Sequence, residues 1–144
     1  MKIYNGEGYI LGRFASIVAK ELLKGEKVIV YNSEKLFITG TKSNILEKYV
    51  KRRAVKSHQN PEHSPKWPRR PDLLVKRIIR GMLPWSKPRG RLVFKNLKVY
   101  MGKPELVDKF ADKEITLEKA QIKEGQNGIT IEKLCSSLGY HIKG

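Results

Sequence analysis

Acidic residues are scarce where this chain is most basic: between Lys48 and Lys98, only Glu62 and Asp72 oppose sixteen Lys and Arg side chains. Cysteine is scarcer still. The single residue, Cys135, excludes an internal disulfide and a cysteine-built metal cage, and it is read as a small buried hydrophobe. No stretch approaches the roughly eighteen consecutive apolar residues of a membrane span, and the opening MKIYNGEGYI lacks the apolar run of a signal peptide. Export and membrane insertion are therefore not expected, and a cytoplasmic location is. His58 and His63 enclose Glu62 in a loop with no Cys or further His beside them, so they are expected to be solvated or phosphate-facing and no metal is expected.

What the chain does carry is charge, and it carries it in one place. The whole molecule of 144 residues has a net charge of +16, of which the window from Lys48 to Lys98 supplies +14. Residues 1–47 add +2 and residues 99–144 are neutral. An ordinary soluble surface mixes both signs to limit self-repulsion. A localised excess of this size calls for a polyanion, and each Lys or Arg that neutralises a nucleic-acid phosphate releases a condensed counterion. With 40% hydrophobic residues the chain also has enough apolar material for a real core, so a disordered basic tail is not the expectation.

The pattern along the chain reads as strand, helix, strand. Lys2–Asn5 is β-compatible and is followed by a turn at Gly6 and Gly8. Leu11, Phe14, Ala15, Val18, Leu22 and Leu23 then recur at spacings of three and four, with Gly25 placed as a helix C-cap. Lys27–Tyr31 is a β-branched run suited to a parallel strand covered on both faces, and Leu36–Thr39 is a second short extended piece. A second helix is expected over Lys42–Arg53, burying Ile45, Leu46, Tyr49 and Val50. A third should start at Asp72 as N-cap and reach Leu83, with a stripe of Leu74, Val75, Ile78, Ile79 and Met82. Between these helices, from Ala54 to Pro71, Pro61, Pro65, Pro68 and Pro71 abolish periodicity, so a long basic loop that orders on its ligand is expected. Beyond it come a turn at Trp85–Gly90, a helical piece at Arg91–Leu97 and a strand at Lys98–Met101. The tail should hold a strand near Ile115–Ile122, a turn at Gly125–Gly128 and a short helix capped by Thr130.

Two further signals look catalytic. Gly6, Gly8 and Gly12 approximate a dinucleotide fingerprint but have one residue too many before the third glycine, which favours a plain turn. Gly40-Thr41-Lys42-Ser43 ends like a phosphate-binding loop without its first glycine, since position 35 is lysine; a helix start touching an RNA phosphate and simple capping both fit. No nucleophile, base and orienting carboxylate assemble from spacing. The aromatic residues in the basic window divide. Trp67, among prolines and arginines, is read as a ring for stacking on an unpaired base, with packing the alternative; Trp85 is read as a plug of the core.

Three strings now point to a family. LGRFAS at Leu11–Ser16, VIVYNSEKLFITGTK at Val28–Lys42 and GMLPWSKPRGRLVFKNLKVYMGKP at Gly81–Pro104 resemble the universal large-subunit ribosomal protein L-thirteen family, in its archaeal and eukaryotic branch, over residues 3–105. The resemblance implies an α/β fold, a three-layer α/β/α single domain with a four-stranded parallel sheet. In it, residues 1–105 would form the core with an RNA-binding loop at 54–71, and residues 106–144 an extension packed on or beside it. It also implies a non-catalytic structural constituent of the large ribosomal subunit, with ribosomal RNA and neighbouring ribosomal proteins as partners and no cofactor, small-molecule substrate or membrane. By resemblance the RNA-facing residues are Arg13, Lys42 and the block Lys87, Arg89, Arg91, Lys95 and Lys98. Charge alone adds Lys51, Arg52 and Arg53 on the second helix, Lys56, Lys66, Arg69 and Arg70 in the loop, and Lys76, Arg77 and Arg80 on the third helix, and the stacking reading adds Trp67. The reading from another class is a nucleotide-dependent α/β enzyme acting on RNA.

Overall fold

The computed structural model describes residues 1–110 and 114–141. Its centre is a parallel sheet in the order β1 (Lys2–Asn5), β2 (Val28–Tyr31), β4 (Leu97–Val99), in register Ile3 to Ile29 and Val28 to Leu97. Four parallel strands were expected, and three are present among the described residues. On the outer side of β1 the sheet continues as a single parallel bridge between Ile3 and Glu114, where the Ile115 amide donates to the Ile3 carbonyl at 3.0 Å. The Leu36–Thr39 strand is real, as β3 (Phe37–Thr39), but it leaves this sheet and pairs antiparallel with β5 (Gly128–Thr130).

Strand alternation explains how both faces are covered. Tyr4, Val28, Val30 and Leu97 point into the main core with Phe14, Val18 and Leu22 of α1 (Leu11–Leu23) and Leu74, Val75 and Ile79 of α3 (Pro71–Gly81). Ile3, Ile29 and Tyr31 point the other way, onto Val107 of the one-turn helix α5 (Glu105–Asp108). Among the described residues the second face therefore has a thinner cover than the first. Phe14 anchors the thick side, edge-on to Tyr4 with ring centroids 6.1 Å apart and stacked on Tyr9 at 5.9 Å.

Local signals set most boundaries. α1 stops at Gly25, whose φ of +91° suits glycine; the Glu26 amide reaches the Glu21 carbonyl and the Gly25 amide the Leu22 carbonyl, closing the helix end. α2 (Lys42–Ala54) buries Ile45 and Tyr49, whereas Val50 is exposed, one step off the packed face. α3 begins two residues earlier than an Asp72 N-cap would give, with Arg70 as N-cap, Pro71 at its first position and Asp72 paired to Arg70. Its stripe holds at Leu74, Val75 and Ile79 but leaves Met82 exposed. α4 runs over Pro88–Phe94 instead of Arg91–Leu97, because Pro88 supplies a start signal that charge reading overlooked.

Much of the described chain after residue 114 joins the same core. α6 (Ile131–Ser137) is capped by Thr130, whose hydroxyl accepts from the Lys133 amide at 3.4 Å, and it buries Ile131, Leu134 and Cys135 completely. The strand expected near Ile115–Ile122 is absent. In its place are an isolated bridge from Gln121 to Tyr9 and a 3-10 turn at Glu118–Ala120, stitched to the start of α1 by the Ile10 amide on the Ala120 carbonyl at 2.7 Å.

Gly6 settles the reading of its own motif. An ideal Cβ at Gly6 would lie 2.5 Å from the Asn32 carbonyl oxygen, so the glycine permits the end of β1 to pass close to the chain leaving β2. We expect Gly6→Ala to lower stability by about 1–3 kcal/mol through overpacking, seen as a lower denaturant midpoint with an unchanged slope.

Candidate nucleic-acid interface

Trp67 organises the middle of the basic window. Its half-buried indole packs edge-on against Tyr49 of α2 at 6.0 Å, and two guanidinium groups lie over the ring, Arg77 of α3 at 4.2 Å and Arg52 of α2 at 4.7 Å. Arg53 donates to the Trp67 carbonyl and Arg77 to the Lys66 carbonyl. The C-terminal half of the loop is thus tied to both flanking helices by the cations that also define the surface. Stacking on a ring and reaching a carbonyl fix a guanidinium in place while leaving other N–H donors for a ligand. Farther out, Ser57 and Ser64 close the loop, the Ser57 amide donating to the Ser64 hydroxyl at 2.9 Å. Arg53, Lys56, His58 and Lys66 line the hollow beneath it.

From Trp67 a basic band extends both ways. On one side Arg52 shares a groove with Arg13 of α1 and Lys48 of α2, floored by Tyr49 and Ile78. On the other side Arg77 shares a groove with Lys66, Lys76 and Arg80, against Phe94. Arg80 lies over the Trp85 ring at 5.0 Å, and Arg91 donates to the Trp85 carbonyl at 3.1 Å. Among the described residues none of these cations has an acidic partner, and in the window only Lys51, with Glu47, and Arg70, with Asp72, do. Burial first, then the neighbouring charges of Arg80 and Arg52, hold the Arg77 pKa below the usual guanidinium value. Like charges this close, unopposed by acids, are relieved by an anion.

Only one of the two tryptophans departs from expectation. Trp85 does not plug the core: it is 38% exposed, edge-on to Phe94 at 5.2 Å. Trp67, read for stacking on a base with packing the alternative, is half-buried against Tyr49, Arg52 and Arg77. Sequence reasoning also missed Lys48, although its i, i+4 spacing to Arg52 places both on one face of α2.

Other candidate residues lie off the band. Arg89 donates to the Leu23 carbonyl at 2.9 Å, at the C-terminal end of α1 where a cation is favoured. Lys87 is the exposed N-cap of α4, and Lys95 and Lys98 line a separate hollow with Lys27 at the start of the sheet. Lys42 is exposed at the first position of α2, and Arg69 approaches Gly139 beyond α6. Cys135 is enclosed and its thiol is pushed up to about 12, by burial first and Asp72 second, which removes it as a thiolate nucleophile.

Arg77 has a testable structural share. Arg77→Ala should free the Lys66–Arg70 segment, and limited trypsin digestion should cut after Lys66 several-fold faster than in the parent, because the loop loses a stacked cation and a charge-assisted hydrogen bond together. An unchanged cutting rate would mean that Arg52, Arg53 and Tyr49 hold the loop without Arg77.

The family model described as Ribosomal protein L13 matches residues 1–106. The chain is 38% identical to the large ribosomal subunit protein uL13 of Methanopyrus kandleri, over 99% of this chain and 89% of that protein. It is 51% identical to the protein of the same name from Methanococcus maripaludis, covering 73% and 77%, and 41% identical to that from Methanosphaera stadtmanae, covering 95% and 96%. A match over most of the chain, with relatives aligned nearly end to end, places it in the ribosomal protein L13 family, on the archaeal side.

Proposed function

We propose that this protein is a non-catalytic structural constituent of the large ribosomal subunit in the cytoplasm, where it binds and organises large-subunit ribosomal RNA. The observation that carries the reading is the band of unopposed cations from Arg13 through Arg52 and Arg77 to Arg80 and Arg91, interleaved with Tyr49, Trp67, Trp85 and Phe94. Relatives named for the large subunit supply the particle. The mechanism is scaffolding. A packed α/β core holds α1, α2, α3 and the loop at fixed separations, so guanidinium groups on different elements meet phosphates from different RNA segments without first paying to become ordered. Shape and a few contacts to unpaired bases would supply specificity, because A-form RNA hides its base edges in a deep, narrow groove. Neighbouring ribosomal proteins are further partners. Lys42, Lys56, Lys87, Lys95 and Lys98, off the band, would reach peripheral phosphates.

The enzyme reading has less support: the space that Gly6 leaves free is filled by the Asn32 carbonyl, and the Gly40–Ser43 helix start has no side-chain cap or companion glycine loop. Co-sedimentation with large subunits at moderate and high salt, alongside a nucleotide titration, separates the two. Retention on subunits without nucleotide binding is expected. Stoichiometric nucleotide binding without subunit retention would overturn the proposal.

A further inference from the structure

Trp85 is a large aromatic ring left 38% exposed in the most basic part of the molecule, and contacts on several sides position it there. Phe94 meets it edge-on at 87°, Arg80 lies over its ring, and Arg91 fixes its carbonyl. The turn beneath is equally constrained: the Lys87 amide donates to the Pro84 carbonyl at 3.0 Å, and a Cβ on Gly90 would collide with that same carbonyl. Lys76 lies 5.3 Å from the centre of the Phe94 ring. We propose that Trp85, braced by Phe94, is a stacking platform for an unpaired nucleobase of the bound RNA, with Arg80 and Lys76 taking the phosphates beside that base.

This rests on the RNA-binding reading above and adds to it the site where a base is held. A pre-placed ring loses little conformational freedom on binding, and every base offers a face to it. Charge selects the occupant. A protein neighbour would have to bring acids to offset Arg80, Lys76 and Arg91, whereas RNA carries a phosphate on each side of every stacked base. Trp67 is a weaker candidate for the same role because it is half-buried with two guanidinium groups, Arg52 and Arg77, over its ring, whereas Trp85 is more exposed and carries one, Arg80.

The test uses the full chain carrying Trp67→Phe, which leaves Trp85 as its one indole. Single-stranded oligoribonucleotide should quench the fluorescence, while heparin, a polyanion without bases, should bind without equal quenching. Trp85→Leu should weaken binding of unpaired RNA by about 5- to 100-fold while leaving heparin affinity and the unfolding temperature near those of the parent, and Trp85→Phe should restore most of the loss. Parent-like RNA affinity in Trp85→Leu, or equal quenching by heparin, would overturn the platform and leave the ring to a protein neighbour. If the parent itself showed no salt-dependent RNA binding, the underlying reading would fail instead.

Discussion

A chain ending at residue 127 is expected not to fold. The cut removes β5 and α6 and with them Ile129, Ile131 and Leu134, each at most 2% exposed and all part of the main core. At about 1.5–3 kcal/mol for each large aliphatic side chain buried, the loss is roughly 5–9 kcal/mol, comparable to the whole stability of a typical domain. The same cut strips the β3 edge of its partner, including the Ile131 amide bound to the Leu36 carbonyl at 2.8 Å, and uncovers fully buried Leu36. Circular dichroism on heating should show no cooperative transition. A truncated chain that melted cooperatively within a few degrees of the parent would make residues 128–144 an appendage. On this account β5 and α6, which lie beyond the family-model match, are structural members of the domain.

Replacing Arg13, Lys48, Arg52, Lys76 and Arg80 together by Gln should weaken binding to large-subunit RNA by about a thousand-fold at low salt, taking roughly 0.8 kcal/mol for each lost phosphate contact. Stability should change far less. Among the described residues none of the five has an acidic partner; what the fold loses is the cation–π contacts of Arg52 with Trp67 and Tyr49, of Arg80 with Trp85 and of Lys76 with Phe94. The unfolding temperature should therefore fall by no more than about 10 °C. A large fall with little change in RNA affinity would make the band a structural feature.

Where the sequence was readable, the information was local. α1 and α6 were legible from the periodicity of Leu11–Leu23 and from Gly25 and Thr130, because caps act within a turn of the residue that makes them. Val28–Tyr31 was legible as a strand covered on both faces, since every one of its residues is buried. What escaped depends on partners distant in sequence. β5 is three residues long and exists through its pairing with β3, the extended piece expected at Leu36–Thr39, with Ile38 opposite Ile129, and no short-range pattern reports that pairing. The roles of Trp67 and Trp85 were set the same way: Arg77 on α3 and Tyr49 on α2 determine that the loop indole is packed, and their convergence on it is a tertiary fact. The concentration of charge was visible at once. Its arrangement into a band, with Lys48 included and Arg89 turned to the end of α1, required the fold.

The most direct test of an electrostatic RNA scaffold is the affinity for large-subunit RNA measured across a series of salt concentrations. Six to ten phosphate contacts at about −0.7 each predict a slope of roughly −4 to −7 in log binding constant against log salt, and the five-fold Gln variant should flatten it by about 3.5. A nearly flat dependence for the parent chain, or the same steep slope in parent and variant, would contradict the account.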